Sequence, residues 1–344
     1  MARDQVRLLV TGAGRVEHAR FRELGRFLEA GDLVVVNTSA TLPAEVDAVR
    51  DGRRAAVVHF STELDDGGWI VELRLPDGSG PMLDGRAGER IGLPGGASLR
   101  LVEARGGNRL WRAEVALGRR SVPVSGRQVG PVVGAAVGPA VGAGSGAVEG
   151  YLAGQGRPIA YGYLGGRWPL SAYQTVFATE PGSAEMPSAG RPFSERLVTG
   201  LVAGGVVIAP VTLHTGVSSL EAHEPPQPER FRVPATTARL VNQTRSAGRR
   251  VVAVGTTVTR ALETVAATDG TVTPGAGWTD LVLGPDRPAR AVTGLVTGWH
   301  EPGASHLLLL TAVAGQTLVE RAYAEAAGSG YLWHEFGDSC LLLP

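Results

Sequence analysis

The segment VVAVGTTVTRALE, residues 251 to 263, decides the fold class, because a strand pattern changes into a helix pattern at one glycine. The run VVAV is short, apolar and rich in β-branched residues, which is typical of a strand buried on both faces. After Gly255, apolar residues recur at helical spacing. A strand that leads directly into a helix is the repeating unit of α/β proteins. The segment therefore predicts an α/β domain.

Two further segments have the same design, a buried strand that runs into a small or polar turn. They are VTLHTGVSSLE around His214 and GLVTGWHEPGASH around His300. Ligands of α/β sheets bind beyond the carboxyl ends of the strands. Polar residues at these three strand ends are therefore candidates for a functional site.

Helical periodicity predicts two more elements, GQTLVERAYAEAAG at residues 315–328 and EHARFRELGRFLEA at residues 17–30. The second would place Phe21, Leu24, Phe27 and Leu28 on one face. Residues 197–220 contain no charged side chain, but paired glycines, a proline and a histidine interrupt them. A helix, a Gly-Gly stop and a buried strand therefore explain this stretch better than a membrane span.

The hydrophobic pattern changes between residues 50 and 122, where short apolar segments alternate with turns of Gly, Asp and Asn. This pattern predicts a small all-β module, either a barrel or a sandwich. We expect an α/β catalytic domain made of residues 1–49 and 151–344, with a β module inserted at residues 50–125. The Gly/Ala/Val/Pro-rich residues 126–150 are interpreted as a linker or loop.

Composition excludes several classes of chemistry. The 33 basic residues are all arginine, so lysine-dependent Schiff-base and phosphate-loop chemistry is excluded. The formal net charge of zero argues against a broad nucleic-acid-binding surface. The only cysteine, Cys340, cannot form an internal disulfide, which favours a reducing, cytoplasmic location. The N-terminal residues lack the apolar core of a secretion signal.

Two common enzyme patterns are missing. No Gly-x-Ser-x-Gly turn follows a strand, because GAGSGAVEG lies in the low-complexity tract. No Gly-x-Gly-x-x-Gly motif opens a helix with an acidic residue at the spacing that dinucleotide binding needs. A metal site is also disfavoured, because the histidines lack ligand spacing.

The strand ends supply the candidate residues. His214 and His300 each follow a strand-like run, and histidine titrates near neutrality, so either is a candidate acid or base or a structural residue. Thr256 and Thr257 open a helix and would either bind an anionic group or cap that helix. Asp338 would orient a base or, as we favour, cap a turn.

Seven segments together resemble one family, the S-adenosylmethionine:tRNA ribosyltransferase-isomerases of queuosine biosynthesis (the QueA family). They occur in the family's order from residue 7 to the C-terminus. The segments are GDLVVVNTSATLPAEV, YQTVFATEPGSAEMPSAG, VTLHTG, VVAVGTTVTRALE, LVTGWHEP, TAVAGQTLVERAY and YLWHEFGD.

The resemblance implies a two-domain fold with a β-barrel-like module inserted in a mixed α/β catalytic domain. It also implies that S-adenosylmethionine is a ribosyl donor to a 7-aminomethyl-7-deazaguanine base in tRNA, with release of adenine and methionine and no metal. His214 and His300 would be catalytic. The expected S-adenosylmethionine-binding residues are Tyr173, Gln174, Thr175, Glu185, Gly190, Thr212, Gly216, Gly255, Thr256, Thr257 and Asp338. The small residues of Gly182 to Gly190 would let backbone approach this substrate.

This chain departs from the family pattern in the loops that would meet substrate. Glu185 and Met186 replace small residues, and Arg191-Pro192 replaces a Leu-His pair. Two family arginines correspond to Ala40 and Glu45. Where the family has His-x-Glu, this chain has Gln227-Pro228-Glu229. Where the family has Asn-Phe-His-Leu-Pro, it has Gly298-Trp299-His300-Glu301-Pro302.

Three functions are therefore compatible with the sequence. The first is the family reaction on tRNA, although the lost arginines weaken phosphate binding. The second is a divergent enzyme that acts on a small-molecule acceptor or on S-adenosylmethionine alone. The third is an inactive homologue that binds S-adenosylmethionine or a nucleoside. Glu185 would pair with the sulfonium or face solvent. No membrane partner is expected, and the sequence does not indicate an oligomeric state.

Overall fold

The computed structural model describes residues 2–12, 14–118, 146–160, 166–217, 227–300 and 306–344. They form two compact units, Met1–Leu42 with Tyr163–Pro344, and Pro43–Gly162. The strands are β1 (Arg7–Gly12), β2 (Arg15–Arg20), β3 (Leu33–Asn37), β4 (Ser39–Thr41), β5 (Glu45–Arg50), β6 (Arg54–Glu63), β7 (Trp69–Arg74), β8 (Arg90–Gly92), β9 (Ser98–Arg105), β10 (Leu110–Ala116), β11 (Glu180–Ser183), β12 (Val207–Leu213), β13 (Glu229–Val233), β14 (Val251–Val254), β15 (Gly275–Thr279), β16 (Gly294–Gly298) and β17 (Ser339–Leu343).

The helices are few and short, and all but one belong to the first unit. They are α1 (Ala147–Gln155), α2 (Glu195–Ala203), α3 (Ala235–Ser246), α4 (Thr256–Thr264), α5 (His306–Ala314) and α6 (Gln316–Gly328). Short 3₁₀ turns add to them, including Phe21–Arg26 and Ser188–Gly190. None of the described helices is long and apolar enough to cross a membrane.

The first unit is built on a nine-stranded sheet in the order β15-β13-β12-β3-β14-β16-β17-β1-β2. The central strands β12, β3, β14 and β16 pair in parallel, so their carboxyl ends meet at one edge. β16 pairs antiparallel with β17, and β12 pairs antiparallel with β13. The sheet is therefore mixed, with a parallel centre.

Alternate residues of the central strands face two separate cores, as the uninterrupted apolar runs predict. Leu33 and Val35 of β3 pack with helices α3 to α6, whereas Val34 and Val36 pack with α2 and the 3₁₀ turn Phe21–Arg26. Val251 and Val252 of β14 divide in the same way. Both faces of the sheet are thus covered, which confirms the α/β class.

The predicted helix at residues 17–30 is wrong in its first part. Residues 15–20 form β2, an edge strand paired antiparallel with β1, and only Phe21–Arg26 are helical, as a 3₁₀ turn. Phe21, Leu24 and Leu28 are nevertheless buried, as the periodicity required. Pairing with β1 satisfies the backbone of residues 15–20 and overrides the local helical pattern.

The stretch at 197–220 folds as predicted over its described part. Helix α2 ends at Ala203, Gly204 and Gly205 follow, and β12 begins at Val207. Ser194 caps α2 by accepting a hydrogen bond from the backbone N–H of Leu197. Residues 218–220 lie outside the described residues.

The second unit contains a closed six-stranded barrel in the order β10-β7-β6-β5-β8-β9, which resolves the choice between barrel and sandwich. Its bounds differ from the predicted module of residues 50–125. Strand β5 begins at Glu45, because it pairs along its length with β6. Residues 147–155 are helix α1 of the same unit rather than linker. The rest of the predicted linker, residues 126–145, lies outside the described residues.

A charged cluster is buried in the barrel unit. The ring nitrogens of His59 lie 3.4 Å from Glu45 Oε2 and 3.5 Å from Glu72 Oε2. Burial lowers the pKa of His59, but the two carboxylates outweigh burial and raise it. Arg157 lies 2.7 Å from Glu45 Oε1, and Arg109 lies 2.9 Å from Glu72 Oε1. Glu45, which replaces a family arginine, is thus a paired interior group rather than a free surface charge.

Candidate active site

The carboxyl ends of the four parallel strands bring the sequence-predicted segments together. Thr38 follows β3, His214 follows β12, Gly255 follows β14 and Trp299 follows β16. These residues, together with the loop from Gly182 to Gly190, are called the strand-end site below. The strand order therefore places the ends of the three strand-and-turn segments at one edge of the sheet.

Asn37, the last residue of β3, ties three elements together. Its Nδ2 donates to the carbonyl of Leu213 at 2.9 Å and to Thr257 Oγ1 at 3.2 Å. Its Oδ1 accepts from the backbone N–H groups of Ser39 and Leu213, both at 3.0 Å. Asn37 is 4% exposed, so its side chain fixes the relative positions of β3, β12 and α4.

His214 is held by a chain of hydroxyl groups. Its Nδ1 lies 2.7 Å from Ser39 Oγ, which lies 2.6 Å from Ser183 Oγ. Ser183 Oγ also accepts a hydrogen bond from the backbone N–H of Thr215 at 3.0 Å. Because Ser39 lies in β4 and Ser183 in β11, the β4–β11 pair positions one ring nitrogen of His214.

The backbone at Gly182 passes directly against the imidazole. A Cβ atom at Gly182 would lie 2.5 Å from His214 Nδ1, and Gly182 has a φ of +148°. Only glycine allows both the conformation and the close approach. This is one physical reason for the small residues of the loop.

A polar cluster lies beside His214. Thr212 Oγ1 donates to Glu180 Oε1 at 3.2 Å, and Arg232 forms an ion pair with the same carboxylate. Burial lowers the pKa of His214, Glu180 opposes this shift, and Arg230 and Arg232 add to it. The imidazole is therefore neutral near pH 7, the form that accepts a proton. Thr212, predicted to bind S-adenosylmethionine, has its hydroxyl engaged by Glu180 and Thr38.

The loop from Gly182 to Gly190 spans from His214 to the start of α4. Thr215 Oγ1 donates to the carbonyl of Glu185 at 2.6 Å. At the other end, a Cβ atom at Gly255 would lie 3.2 Å from the Cβ of Ala189, and a Cβ at Gly190 would lie 3.3 Å from Thr175 Cγ2. The backbone of the loop therefore packs closely against side chains at both ends, His214 at Gly182 and Thr175 at Gly190.

Thr256 and Thr257 open α4, and both are partly buried. Gly255 precedes them with a φ of +91°, and its carbonyl accepts from the backbone N–H of Thr259 at 3.3 Å. Thr257 Oγ1 accepts from Asn37, so one of the two hydroxyls has a structural partner.

Gly216, two residues after His214, contacts Glu229 of β13. The backbone N–H of Gly216 donates to Glu229 Oε1 at 3.3 Å, and Arg260 forms an ion pair with Glu229. Burial raises the pKa of Glu229, while Arg260 opposes the shift. The negative charge of Glu185, in the loop, also raises the pKa of Glu229, so two acidic side chains interact here.

Three histidines cluster at the end of β16. The rings of His300 and His306 stack with centroids 4.3 Å apart, and His334 lies 4.8 Å from His300. Burial lowers the pKa of His300 well below its usual value, and burial lowers that of His334 to about 4. Among the described residues, no group of three or more His, Cys, Asp or Glu is arranged to hold a metal ion. Because burial lowers the pKa of all three, these histidines are neutral near pH 7.

The chain matches the family model described as queuosine biosynthesis protein over residues 1–342. It belongs to that family.

Relatives of the queuosine biosynthesis family share almost the whole chain. A protein of Symbiobacterium thermophilum named S-adenosylmethionine:tRNA ribosyltransferase-isomerase is 34% identical over 99% of this chain and 94% of its own length. A protein of Moorella thermoacetica with the same name is 32% identical with the same coverage. The crystal structure of an S-adenosylmethionine tRNA ribosyltransferase from Thermotoga maritima matches with a TM-score of 0.50 and 26% identity, over 99% of this chain and 93% of that one.

Some of the predicted binding residues have structural partners in this family member. Gln174 pairs with the backbone of Thr41, accepting at 3.0 Å and donating at 2.8 Å. The carbonyl of Tyr173 accepts from Thr41 Oγ1 at 3.0 Å. Thr175 Oγ1 accepts from the backbone N–H of Phe177 at 3.2 Å. Gln174 and Tyr173 thus hold β4 in place, and β4 in turn positions Ser39.

Asp338 is engaged in the same way. Its carboxylate accepts from the backbone N–H of Arg7 at 2.7 Å and from that of Leu332 at 2.9 Å, and it forms an ion pair with Arg7. These contacts join β1 to the turn before β17. They agree with the turn-capping role that the sequence favoured over a catalytic one.

Sequence reasoning missed several residues of the strand-end site. Ser39 and Ser183 are serines in ordinary strand positions, and His306 and His334 lie inside quoted segments without having been singled out. Arg191 was noted only as a departure from the family pattern. Glu301, noted as a departure from the family pattern, lies outside the described residues.

Proposed function

We propose that this protein transfers the ribosyl group of S-adenosylmethionine to a 7-aminomethyl-7-deazaguanine base in tRNA and isomerises it, releasing adenine and methionine. The observation that carries this proposal is the near-full-length similarity to proteins named S-adenosylmethionine:tRNA ribosyltransferase-isomerase. The strand-end site supplies a partly buried base and a closely packed glycine loop, which such a reaction needs.

His214 is the proposed general base. A sulfonium acidifies the adjoining 5′ C–H bond of the substrate, so that removal of this proton leaves a carbanion that drives expulsion of adenine. If Ser39 donates to Ser183, Ser39 Oγ accepts from Nδ1–H of His214, and the lone pair of Nε2 is available for the proton. His300 is proposed as the second catalytic residue, since it follows β16, whose carboxyl end lies at the same edge of the sheet.

The loop from Gly182 to Gly190 is proposed to bind S-adenosylmethionine through its backbone. Its acidic neighbourhood suits a sulfonium, because Glu185 interacts electrostatically with Glu229 and with Glu335. A cation between these carboxylates relieves their mutual repulsion. The remaining predicted residues, Gly216, Thr256 and Thr257, would complete the walls of this pocket.

The tRNA acceptor follows from the relatives rather than from a basic surface. Glu45 stands where the family has an arginine, but it adds no free negative charge, because its carboxylate is buried and paired with Arg157. A tRNA acceptor also agrees with the cytoplasmic location that the single cysteine suggests. The small-acceptor and binding-protein alternatives gain no support from the relatives.

The test is acceptor-dependent release of adenine. Purified protein is mixed with S-adenosylmethionine and with tRNA that carries 7-aminomethyl-7-deazaguanine, and adenine is followed by chromatography while digested tRNA is analysed by mass spectrometry. We expect adenine and a ribosylated base in equal amounts, and neither with tRNA that carries guanine. Adenine release without acceptor would favour action on S-adenosylmethionine alone, and no release with the modified tRNA would overturn the proposal.

A further inference from the structure

Arg191 and Glu335 each have one buried side-chain polar atom without a hydrogen-bond partner among the described residues. These atoms are Nε of Arg191 and Oε2 of Glu335, and both are shielded from solvent. Glu335 is 7% exposed, and Arg191 is partly buried. The two side chains interact electrostatically, yet within the described ranges they form no ion pair with each other or with another residue.

Burying these two ionisable side chains destabilises the folded protein unless a ligand or another residue interacts with them. A buried ionised group loses its hydration, and only a counter-charge or well-placed hydrogen bonds offset that loss. Burial raises the pKa of Glu335 to about 8, Glu185 adds to the shift and Arg191 opposes it. Burial lowers the pKa of Arg191, with Arg3 contributing in the same direction. Glu335 is therefore mostly protonated near pH 7 in the free protein, and a cation bound beside it would favour the carboxylate.

The pair adjoins the strand-end site. Arg191 directly follows Gly190, the end of the loop whose Ala189 lies against Gly255. The guanidinium of Arg191 lies over the ring of Phe336 at 4.4 Å, and Tyr173 meets that ring edge-on at 5.2 Å. This aromatic floor restricts where the guanidinium can lie and leaves its N–H edge for a ligand.

We infer that Arg191 and Glu335 form a subsite for the α-amino-acid end of S-adenosylmethionine, with the guanidinium binding the α-carboxylate and the carboxylate of Glu335 binding the α-ammonium. This inference rests on the proposed function. An α-amino acid carries its two opposite charges one carbon apart, and it therefore needs two opposite charges side by side. The planar guanidinium suits a carboxylate, with which it forms two parallel hydrogen bonds.

The test uses two ligands that differ by one carboxylate. The affinities of S-adenosylmethionine and of its decarboxylated analogue are measured by calorimetry for the wild-type protein, Arg191→Met and Glu335→Gln. We expect Arg191→Met to weaken S-adenosylmethionine binding about 10- to 100-fold, the loss of a charge-assisted hydrogen bond, and to leave the analogue unchanged. Glu335→Gln should weaken both ligands, since both retain the ammonium. Arg196→Met, at an exposed arginine of α2, is the control for the lost charge.

The outcomes separate the subsite from the function. Equal weakening of both ligands by Arg191→Met, or of neither, would overturn the subsite while the proposed function stands. Failure of the wild-type protein to bind S-adenosylmethionine would overturn both. Thermal unfolding adds an independent readout, because removing an uncompensated buried cation should leave the melting temperature of Arg191→Met unchanged or raised. A lowered melting temperature with unchanged affinities would assign Arg191 to structure.

Discussion

Nδ1 of His214 lies 2.7 Å from Oγ of Ser39, so a residue at the end of β12 is oriented by a residue of β4. The two residues are 175 positions apart in the chain. This contact, extended to Ser183, sets which nitrogen of the imidazole faces the protein and which is left for chemistry.

The first prediction concerns this contact. His214→Ala should reduce kcat by about 10²- to 10⁴-fold, the usual contribution of a general base. Ser39→Ala should reduce kcat by about 5-fold, because the imidazole loses one orienting hydrogen bond worth about 1 kcal/mol. Steady-state adenine release measures both, with His18→Ala, a half-exposed histidine of β2, as the control. Full activity in His214→Ala with a lowered melting temperature would assign the residue to structure.

The second prediction uses two glycines with nearly the same backbone conformation. Gly255 has φ +91° and precedes α4, whereas Gly315 has φ +77° and precedes α6. Alanine at either position should cost about 1–3 kcal/mol of backbone strain. Only at Gly255 does the new Cβ meet Ala189, at 3.2 Å, while nothing lies within 4 Å at Gly315.

Gly255→Ala should therefore also displace the loop and reduce kcat/KM, whereas Gly315→Ala should lower the melting temperature without changing kinetics. Urea unfolding and steady-state kinetics on both variants separate strain from contact. Equal kinetic losses in the two variants would show that the approach of Ala189 to Gly255 is irrelevant to catalysis.

Much of the site was predictable because it depends on local patterns. Buried β-branched runs indicate strands, and parallel strands bring their carboxyl ends to one edge, so the convergence of His214, Gly255 and His300 followed from the sequence. The partners of those residues did not follow. Ser39, Arg191 and the other partners depend on how distant segments pass one another, which no local periodicity records. The strand at 15–20 was missed for the same reason, because an edge strand owes its existence to its neighbour.

The third prediction is the pH dependence of stability. The folded-state pKa of His334 is lowered to about 4 by burial, below its usual value of 6.5. Between pH 6.5 and pH 4, His334 is protonated in the unfolded chain and neutral in the folded protein. The free energy of unfolding therefore decreases as the pH falls below 6.5. Between pH 7 and pH 5 the loss should be about 2 kcal/mol for this residue.

His334→Gln should remove that part of the decline when free energies of unfolding are measured in urea at both pH values. Glu335, whose pKa is raised to about 8, acts in the opposite direction but is present in both proteins, so the comparison isolates the histidine. An identical decline in wild type and variant would show that His334 is solvated and titrates normally.

The fourth prediction distinguishes two roles for Asp338. Its carboxylate accepts hydrogen bonds from the backbone of Arg7 and of Leu332 and pairs with the Arg7 side chain, which leaves little of it for a ligand. Asp338→Asn should cost about 2 kcal/mol of stability, because an amide replaces a charged acceptor that serves two elements. The dissociation constant for S-adenosylmethionine should stay within about twofold, since such a change is well under 1.4 kcal/mol. Calorimetry and urea unfolding on the same preparation distinguish the two roles. A stable variant with weakened binding would show that Asp338 binds substrate, whereas a destabilised variant with normal binding would show that it only stabilises the turn.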